Sequence, residues 1–148
     1  MVRIRRLSRK IKQIGLAYQE LLDIRDHYSP STLVLTHTYD YPFASLKGAN
    51  FLGGLISTKG WMKRFMDDIN IPDELQTCVI RELMDMMAAE SLKIAAARPG
   101  FVVVDTRGTL LDKSDWENEI HPDKKGFRAI ANKMYVDIEK HFPALARS

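Results

Sequence analysis

The segment Phe101-Val102-Val103-Val104-Asp105 predicts the class of fold, and Leu33-Val34-Leu35-Thr36-His37 repeats its pattern. Both segments are short, almost continuous apolar runs that follow a proline-containing turn. Runs of this kind are typical of strands in a parallel sheet, because helices cover both faces of such a sheet. We therefore predict two buried parallel strands over residues 101–105 and 33–37.

Helical segments surround these two strands. Apolar residues at three- and four-residue spacing predict helices over residues 3–27, from about residue 70 to residue 97, and from Pro122 to about His141, with a shorter helix over 61–69. Residues 38–60 are rich in glycine and are predicted to be irregular. Because helices and strands alternate, we predict one α/β domain over residues 1–148, with a partial flavodoxin-like, three-layer parallel sheet.

The same spacing predicts which side of each long helix faces the core. The predicted core residues are Ile4, Leu7, Ile11, Ile14, Tyr18, Leu21 and Leu22 of the first helix, Leu75, Val79, Leu83, Met86, Met87 and Ile94 of the second, and Phe127, Ile130, Ala131, Met134 and Ile138 of the last. The single cysteine, Cys78, lies in an apolar stretch and is predicted to be a small core residue.

Two strands are too few for a stable parallel sheet. Such a sheet has two open edges and too little surface for three long helices. We therefore expect additional strands from a second copy of the chain, from another polypeptide, or from a preceding segment of a longer gene. A homo-oligomer or a missing N-terminal segment is the partner that this prediction implies.

Composition and charge exclude several classes of protein. With 45% hydrophobic and 28% charged residues, the composition is that of a globular protein. The sequence contains no run of 18 apolar residues, so no membrane-spanning helix is predicted. The basic N-terminus lacks the apolar core of a secretory signal, and one cysteine fits a reducing compartment, so we predict a cytoplasmic protein. Six of the positive charges lie in residues 1–12, which leaves −3 from a total of +3 for the rest. A basic-helix module that binds an anionic surface is one alternative function, although no motif for nucleic acid is visible.

Polar residues follow both predicted strands, where ligands bind in α/β sheets. His121 stands before a proline-led helix and is a candidate general base, since histidine is the side chain most often used for this role at neutral pH. Glu117, Asn118 or Glu119 is close enough in sequence to orient that ring; alternatively, His121 only caps the helix start. The other residues predicted to line the site are His37, Tyr39, Asp40, Tyr41 and Trp116.

The stretch Trp116 to Ala131 resembles the last conserved block of the SGNH (GDSL-like) hydrolases. That block reads acid-x-x-His-Pro, then Gly-aromatic, then an apolar helix, and His121-Pro122 and Gly126-Phe127 match it. The segments His-Thr-Tyr-Asp-Tyr-Pro and Val-Asp-Thr-Arg-Gly are similar to the preceding strand ends of one subgroup. The resemblance implies a serine ester hydrolase in which His121 deprotonates the nucleophile, and in which Asn118 occupies the position of the acid.

The resemblance covers only the C-terminal part of that family's pattern. None of the serines follows Gly-Asp, and the glycine and Gly-x-Asn-Asp blocks of the oxyanion hole are not found. We therefore expect a histidine-bearing part that acts on a small ester only when another segment supplies the nucleophile, and that is incomplete or inactive alone. No cofactor is expected. A metal site of His37, Asp40 and His121 is the weaker alternative, and a non-catalytic oligomerising domain is another.

Overall fold

The structure, a computed structural model, describes residues 2–45, 47–51, 56–60 and 62–142, and for residues 2–6, 47–51 and 56–59 the backbone alone. It is a mixed α/β protein. The elements are α1 (Val2–Tyr28), β1 (Val34–His37), β2 (Lys47–Phe51), β3 (Ile56–Lys59), α2 (Met62–Asp68), α3 (Asp73–Ala97), β4 (Phe101–Val104), a 3-10 turn (Lys113–Asp115) and α4 (Lys124–His141).

The chain divides into two compact units. The first, the parallel-sheet unit, consists of Met1–Tyr39 and Met84–Asp105. The second, the histidine unit, consists of Asp40–Leu83 and Thr106–Ser148. Helix α3 begins in the histidine unit and ends in the parallel-sheet unit. Among the described helices, none combines the length and the apolar composition that crossing a bilayer requires.

The parallel-sheet unit contains the two strands that the sequence predicts. Strands β1 and β4 pair in parallel, with Val34 opposite Phe101 and His37 opposite Val104. This confirms both strands and their parallel pairing. The prediction that both are buried holds for Phe101 and Val104 of β4 and is wrong for β1, which is half-buried along its length. Residues of α1, α3 and the strands form the core around them, because each element turns one apolar side inward. The core members are Leu22, Ile94 and Phe101, with Tyr18, Val34, Ala95 and Val103 packed against them.

A buried arginine joins the two turns that lead into these strands. The guanidinium of Arg25 donates to the carbonyl oxygen of Thr32 at 3.0 Å and to that of Pro99 at 2.8 Å. Gly100 has a φ of +74°, and a Cβ at this position would collide with the guanidinium. The backbone conformation therefore favours glycine at position 100, and a side chain there would also force the guanidinium of Arg25 to shift.

The histidine unit has a core of its own and a hairpin that the sequence does not predict. Its core residues are Leu110, Trp116 and Ile130, with Phe43, Ala129 and Met134 packed against them. Strands β2 and β3 pair antiparallel, with Asn50 opposite Ser57 and Phe51 opposite Ile56. The prediction that residues 38–60 are irregular is therefore wrong for these two strands. They could not be predicted, because neither has an apolar run or a clean alternation of apolar and polar residues.

The helices form where predicted, but their buried sides differ from the prediction. In α3, Leu75 and Val79 are exposed, whereas Gln76, Ile80 and Met84 are buried, so the core face begins one residue later. Gln76 conceals this face in the sequence, because it is a polar residue at a buried position. Its amide donates to the carboxylates of Asp67 and Asp73 and to a backbone carbonyl.

Other predicted core residues are exposed because the buried face of each helix is rotated relative to the predicted apolar face. Cys78 is exposed, so its prediction as a core residue is wrong. Ile14 and Leu21 of α1 are exposed, and so are Phe127 and Ala131 of α4. The side chain of Ile4, another predicted core residue, lies outside the described part of the structure. On α1, the buried positions are Ile11, Gly15, Leu22 and Arg25. Gly15 and Arg25 are not apolar side chains, so an apolar spacing pattern does not select them.

Candidate functional site

A short closed loop over residues 116–121, the histidine loop, presents His121. The backbone N–H of Glu117 donates to the carbonyl oxygen of His121 at 2.8 Å, and Trp116 forms an isolated antiparallel bridge with Pro122. One residue further, Asp123 donates its N–H to the carbonyl oxygen of Asp115 at 2.8 Å. These bonds pair the two ends of the loop, and its last residue, His121, is exposed.

The side chain of Asn118 holds the histidine ring from inside this loop. Asn118 is buried, and its Oδ1 accepts from the backbone N–H of Ile120 at 3.1 Å and from that of His121 at 3.0 Å. The same oxygen lies 3.1 Å from Nδ1 of His121. Because two backbone N–H groups point at this atom, it must be the amide oxygen and not the amide nitrogen.

This geometry fixes which ring nitrogen carries the proton in neutral His121. An amide oxygen only accepts, so Nδ1 is the donor and the lone pair is on Nε2. An exposed Nε2 with a free lone pair is the arrangement that a general base needs. Asn118 orients the ring in this way through a neutral acceptor, so it offers no carboxylate charge to pair with the imidazolium that forms when Nε2 takes up a proton.

Glu119, the next residue, points in a different direction. It is 2% exposed, and its Oε1 accepts from the backbone N–H of Lys63 at 2.7 Å and of Ser45 at 3.1 Å. Its Oε2 accepts from the N–H of Met62 at 2.8 Å. The carboxylate thereby fastens the histidine loop to the start of α2 and to the loop at residue 45. A Cβ at Gly60 would collide with both Ser45 and Glu119, which requires glycine there.

Asp40 has the same role at another place in the histidine unit. It is 2% exposed, and its carboxylate accepts from four backbone N–H groups. The donors are Tyr41 at 2.7 Å, Gly108 at 2.6 Å, Thr109 at 2.9 Å and Leu110 at 2.7 Å. Asp40, three residues after the end of β1, thus holds residues 108–110 of the loop that follows β4.

Helix α4 is anchored to the histidine loop at its first turn. Asp123 caps it by accepting from the N–H of Gly126 at 2.7 Å. A Cβ at Gly126 would collide with the carbonyl oxygen of Asp115, so the helix packs directly on the loop. Lys125 contacts the carboxylate of Asp115 at 3.0 Å, and this contact lowers the pKa of Asp115 and raises that of Lys125.

The other predicted site residues are distributed over both units. In the histidine unit, Trp116 is buried in the core, Glu117 is exposed, and the ring of Tyr41 lies 4.1 Å from the guanidinium carbon of Arg81. His37 and Tyr39 belong to the parallel-sheet unit. Nδ1 of His37 lies 2.7 Å from the carbonyl oxygen of Thr38, and burial raises the pKa of Tyr39.

The structure therefore brings Asn118 and His121 together, and it assigns the carboxylates of Asp40 and Glu119 to backbone amides. Of the three residues considered as orienters of the ring, Asn118 is the one with a bond to the imidazole among the described contacts. Within the described residues, no group of three or more His, Cys, Asp or Glu side chains could hold a metal ion.

A cavity of about 220 Å³ lies elsewhere in the histidine unit. Its walls are formed by the loop before the 3-10 turn and by the first turns of α4. The lining residues are Thr109, Leu110, Leu111, Asp112, Asp115, Lys125 and Ala129. None of them was predicted as a site residue, because Asp115 and Lys125 are ten residues apart and no known motif spacing joins them.

Comparison with protein-family models, with curated proteins and with solved structures gave no match to this chain.

Proposed function

We propose that this chain supplies the general base of a serine ester hydrolase, with His121 as the base and Asn118 as the residue that positions it. The observation that carries the proposal is the 3.1 Å contact between Oδ1 of Asn118 and Nδ1 of His121. That contact supports a lone pair on Nε2 of an exposed ring, at the position where the sequence resembles the histidine block of the SGNH hydrolases.

The proposed reaction uses this lone pair twice. Nε2 of His121 takes the proton from a serine hydroxyl while the hydroxyl oxygen attacks the ester carbonyl, and it then gives that proton to the departing alkoxide. Water repeats the sequence on the acyl-serine and releases the acid. The nucleophile and the oxyanion donors come from another segment, because no serine of this chain follows Gly-Asp.

Strands from the same additional segment, or from a second copy, complete the sheet in this proposal. The parallel pair β1–β4 is then part of a three-layer, flavodoxin-like sheet with helices on both faces. Support comes from the parallel register of the pair and from the apolar runs that form it. The single cysteine, and the absence of a disulfide that follows from it, support a cytoplasmic setting.

Fluorophosphonate labelling, read by intact mass, tests this function. The reagent forms a covalent bond with an activated serine. We expect no label on the chain alone, and one label on a protein in which the chain is joined to the segment encoded immediately upstream of it. His121→Ala should abolish that label, whereas His141→Ala, which removes an exposed histidine of α4, should leave it unchanged. A label that survives His121→Ala would contradict the proposal.

A non-catalytic domain is the second candidate, and one observation favours it. The position of the family's acid is occupied by a neutral amide, which cannot stabilise imidazolium by charge. The joined protein separates the two functions when it carries Asn118→Asp. If His121 is a base, the carboxylate should raise the labelling rate about tenfold or more. If the domain is non-catalytic, neither the parent nor Asn118→Asp should be labelled.

A further inference from the structure

The cavity of about 220 Å³ between the loop before the 3-10 turn and the first turns of α4 has an inner end and a rim of different character. Leu110 and Asp115 are buried, at 3% and 7% exposure, and form its inner end. Leu111, Asp112 and Lys125 are exposed and form its rim. The volume lies below the roughly 300–1,000 Å³ of sites for drug-sized ligands, so it suits a small molecule.

The charged side chains of this lining favour a cation. Asp112 and Asp115 are negative and Lys125 is positive, which gives −1 in total. A carboxylate with little access to water needs a counter-charge in every state of the site. Here the ammonium of Lys125 provides it, at 3.0 Å from Oδ1 of Asp115. An anionic ligand would add a negative charge beside Asp115, whereas a cationic ligand can take over the pairing.

More than one carboxylate acts at the position of this ammonium. The hydrogen bond to Asp115 raises the pKa of Lys125 most. The negative charges of Asp123 and Asp112 raise it further. Asp123 is fixed as the cap of α4, where it accepts from the N–H of Gly126 at 2.7 Å. The surroundings therefore stabilise a positive charge at this point, whichever molecule supplies it.

Lys125 can leave this position readily, whereas Asp115 cannot. The side chain of Lys125 is 78% exposed, and that of Asp115 is 10% exposed. An exposed ammonium regains its hydration when its ion pair opens, so such pairs contribute little to stability. The carboxylate stays in place because its Oδ2 also accepts from the backbone N–H of Asp112 at 3.1 Å. Lys125 is thus an internal cation that another cation can replace.

We infer that the cavity binds a small organic molecule with a primary ammonium group and an apolar tail. The ammonium of the ligand replaces that of Lys125 on Oδ1 of Asp115, so the charge at this position does not change. The tail covers Leu111, which is 78% exposed, and contacts Leu110 and Ala129. Removal of this apolar surface from water provides affinity that the exchange of one ammonium for another does not.

A titration of the full chain, followed by ¹H–¹⁵N NMR at neutral pH, tests the sign of the charge with three probes that share one tail. The probes are n-pentylammonium, 1-pentanol and pentanoate. We expect n-pentylammonium to shift the amides of residues 109–112 and 115 saturably, and 1-pentanol to bind at least about tenfold more weakly, because it lacks the charge. Pentanoate should give no saturable shift there. Absence of a saturable shift with n-pentylammonium, equal affinities for the three probes, or tighter binding of pentanoate would overturn the inference.

Substitutions of two adjacent exposed lysines test the exchange. Lys125→Met removes the competing ammonium, so the affinity for n-pentylammonium should rise at least about fivefold. Lys124→Met removes the same charge one position away and should leave the affinity within about twofold. Asp115→Asn should lower it at least about tenfold. An unchanged or lower affinity in Lys125→Met, equal rises in both lysine variants, or an unchanged affinity in Asp115→Asn would contradict the inference. Neither His121 nor Asn118 lines the cavity, so these results are independent of the proposed base.

Discussion

The two units of this chain are stabilised by different kinds of contact. The parallel-sheet unit has two paired strands between helices and a core of Leu22, Ile94 and Phe101, with one buried guanidinium that joins its turns. In the histidine unit, two buried carboxylates instead accept seven backbone N–H groups, four at Asp40 and three at Glu119. Long loops can be fixed in place without a regular sheet when a carboxylate satisfies their amides.

The comparison also explains why the candidate base is in the histidine unit. A general base must stay exposed while its ring keeps one orientation. Two neighbouring residues of the loop meet these two requirements. Asn118 orients the imidazole of His121, and Glu119 anchors the loop that presents it.

Loss of the Glu119 carboxylate should have the largest effect on stability. Glu119→Ala leaves the N–H groups of Ser45, Met62 and Lys63 without their acceptor, and we expect a loss of about 3–5 kcal/mol in the free energy of unfolding by urea. Glu117→Ala, at an exposed neighbouring position, should change it by less than about 0.5 kcal/mol. Equal effects of the two substitutions would show that Glu119 is not an anchor.

Loss of a core side chain should break the other unit by a different route. Leu22 is fully buried, and Leu22→Ala should cost about 2–4 kcal/mol through lost apolar contact and an unfilled cavity. Hydrogen exchange should show the loss first in the amides of β4. In Glu119→Ala, the amides of residues 116–121 and of Asp123 should lose protection before those of β4. The opposite order in either variant would contradict the division into two modes of stabilisation.

A smaller effect should appear in acid. The contact with Lys125 lowers the pKa of Asp115 in the folded state, so this carboxylate adds stability above its ordinary pKa and loses it as the pH falls through the lowered value. Lys125→Gln should therefore flatten the decline of the urea midpoint between about pH 5 and pH 2. Lys124→Gln, at the exposed neighbouring position, is the control. An identical decline in both variants would contradict the assigned cause.

The sequence predicts the parallel-sheet unit better than the histidine unit, and the reason is physical. Strands β1 and β4 are apolar on both faces, so their continuous runs are visible without any tertiary information. Strands β2 and β3 show no such run. The buried face of α3 is missed because Gln76 occupies a core position, and its partners are known only once the chain has folded.

The candidate site shows the same limit. His121 and Asn118 can be selected from sequence because they are three residues apart and their bond is local. Asp40 and Glu119 can be selected as polar residues near strand ends, but their role cannot be read, since their acceptors bind backbone amides about 60 to 70 positions away. A backbone N–H is present in every residue except proline, so it leaves no trace in the sequence.

The central claim, that Asn118 positions His121 as a general base, is tested most directly by the tautomer of the His121 ring. The tautomer is measured by long-range ¹H–¹⁵N correlation spectroscopy on the purified chain, at a pH high enough for the ring to be neutral. The structure predicts a proton on Nδ1 and none on Nε2, because Oδ1 of Asn118 accepts from Nδ1. Asn118→Leu should remove this preference, and the rings of the exposed His27 and His141 should not change. A proton on Nε2 of His121 in the parent chain would contradict the assignment of this ring as a general base positioned by Asn118.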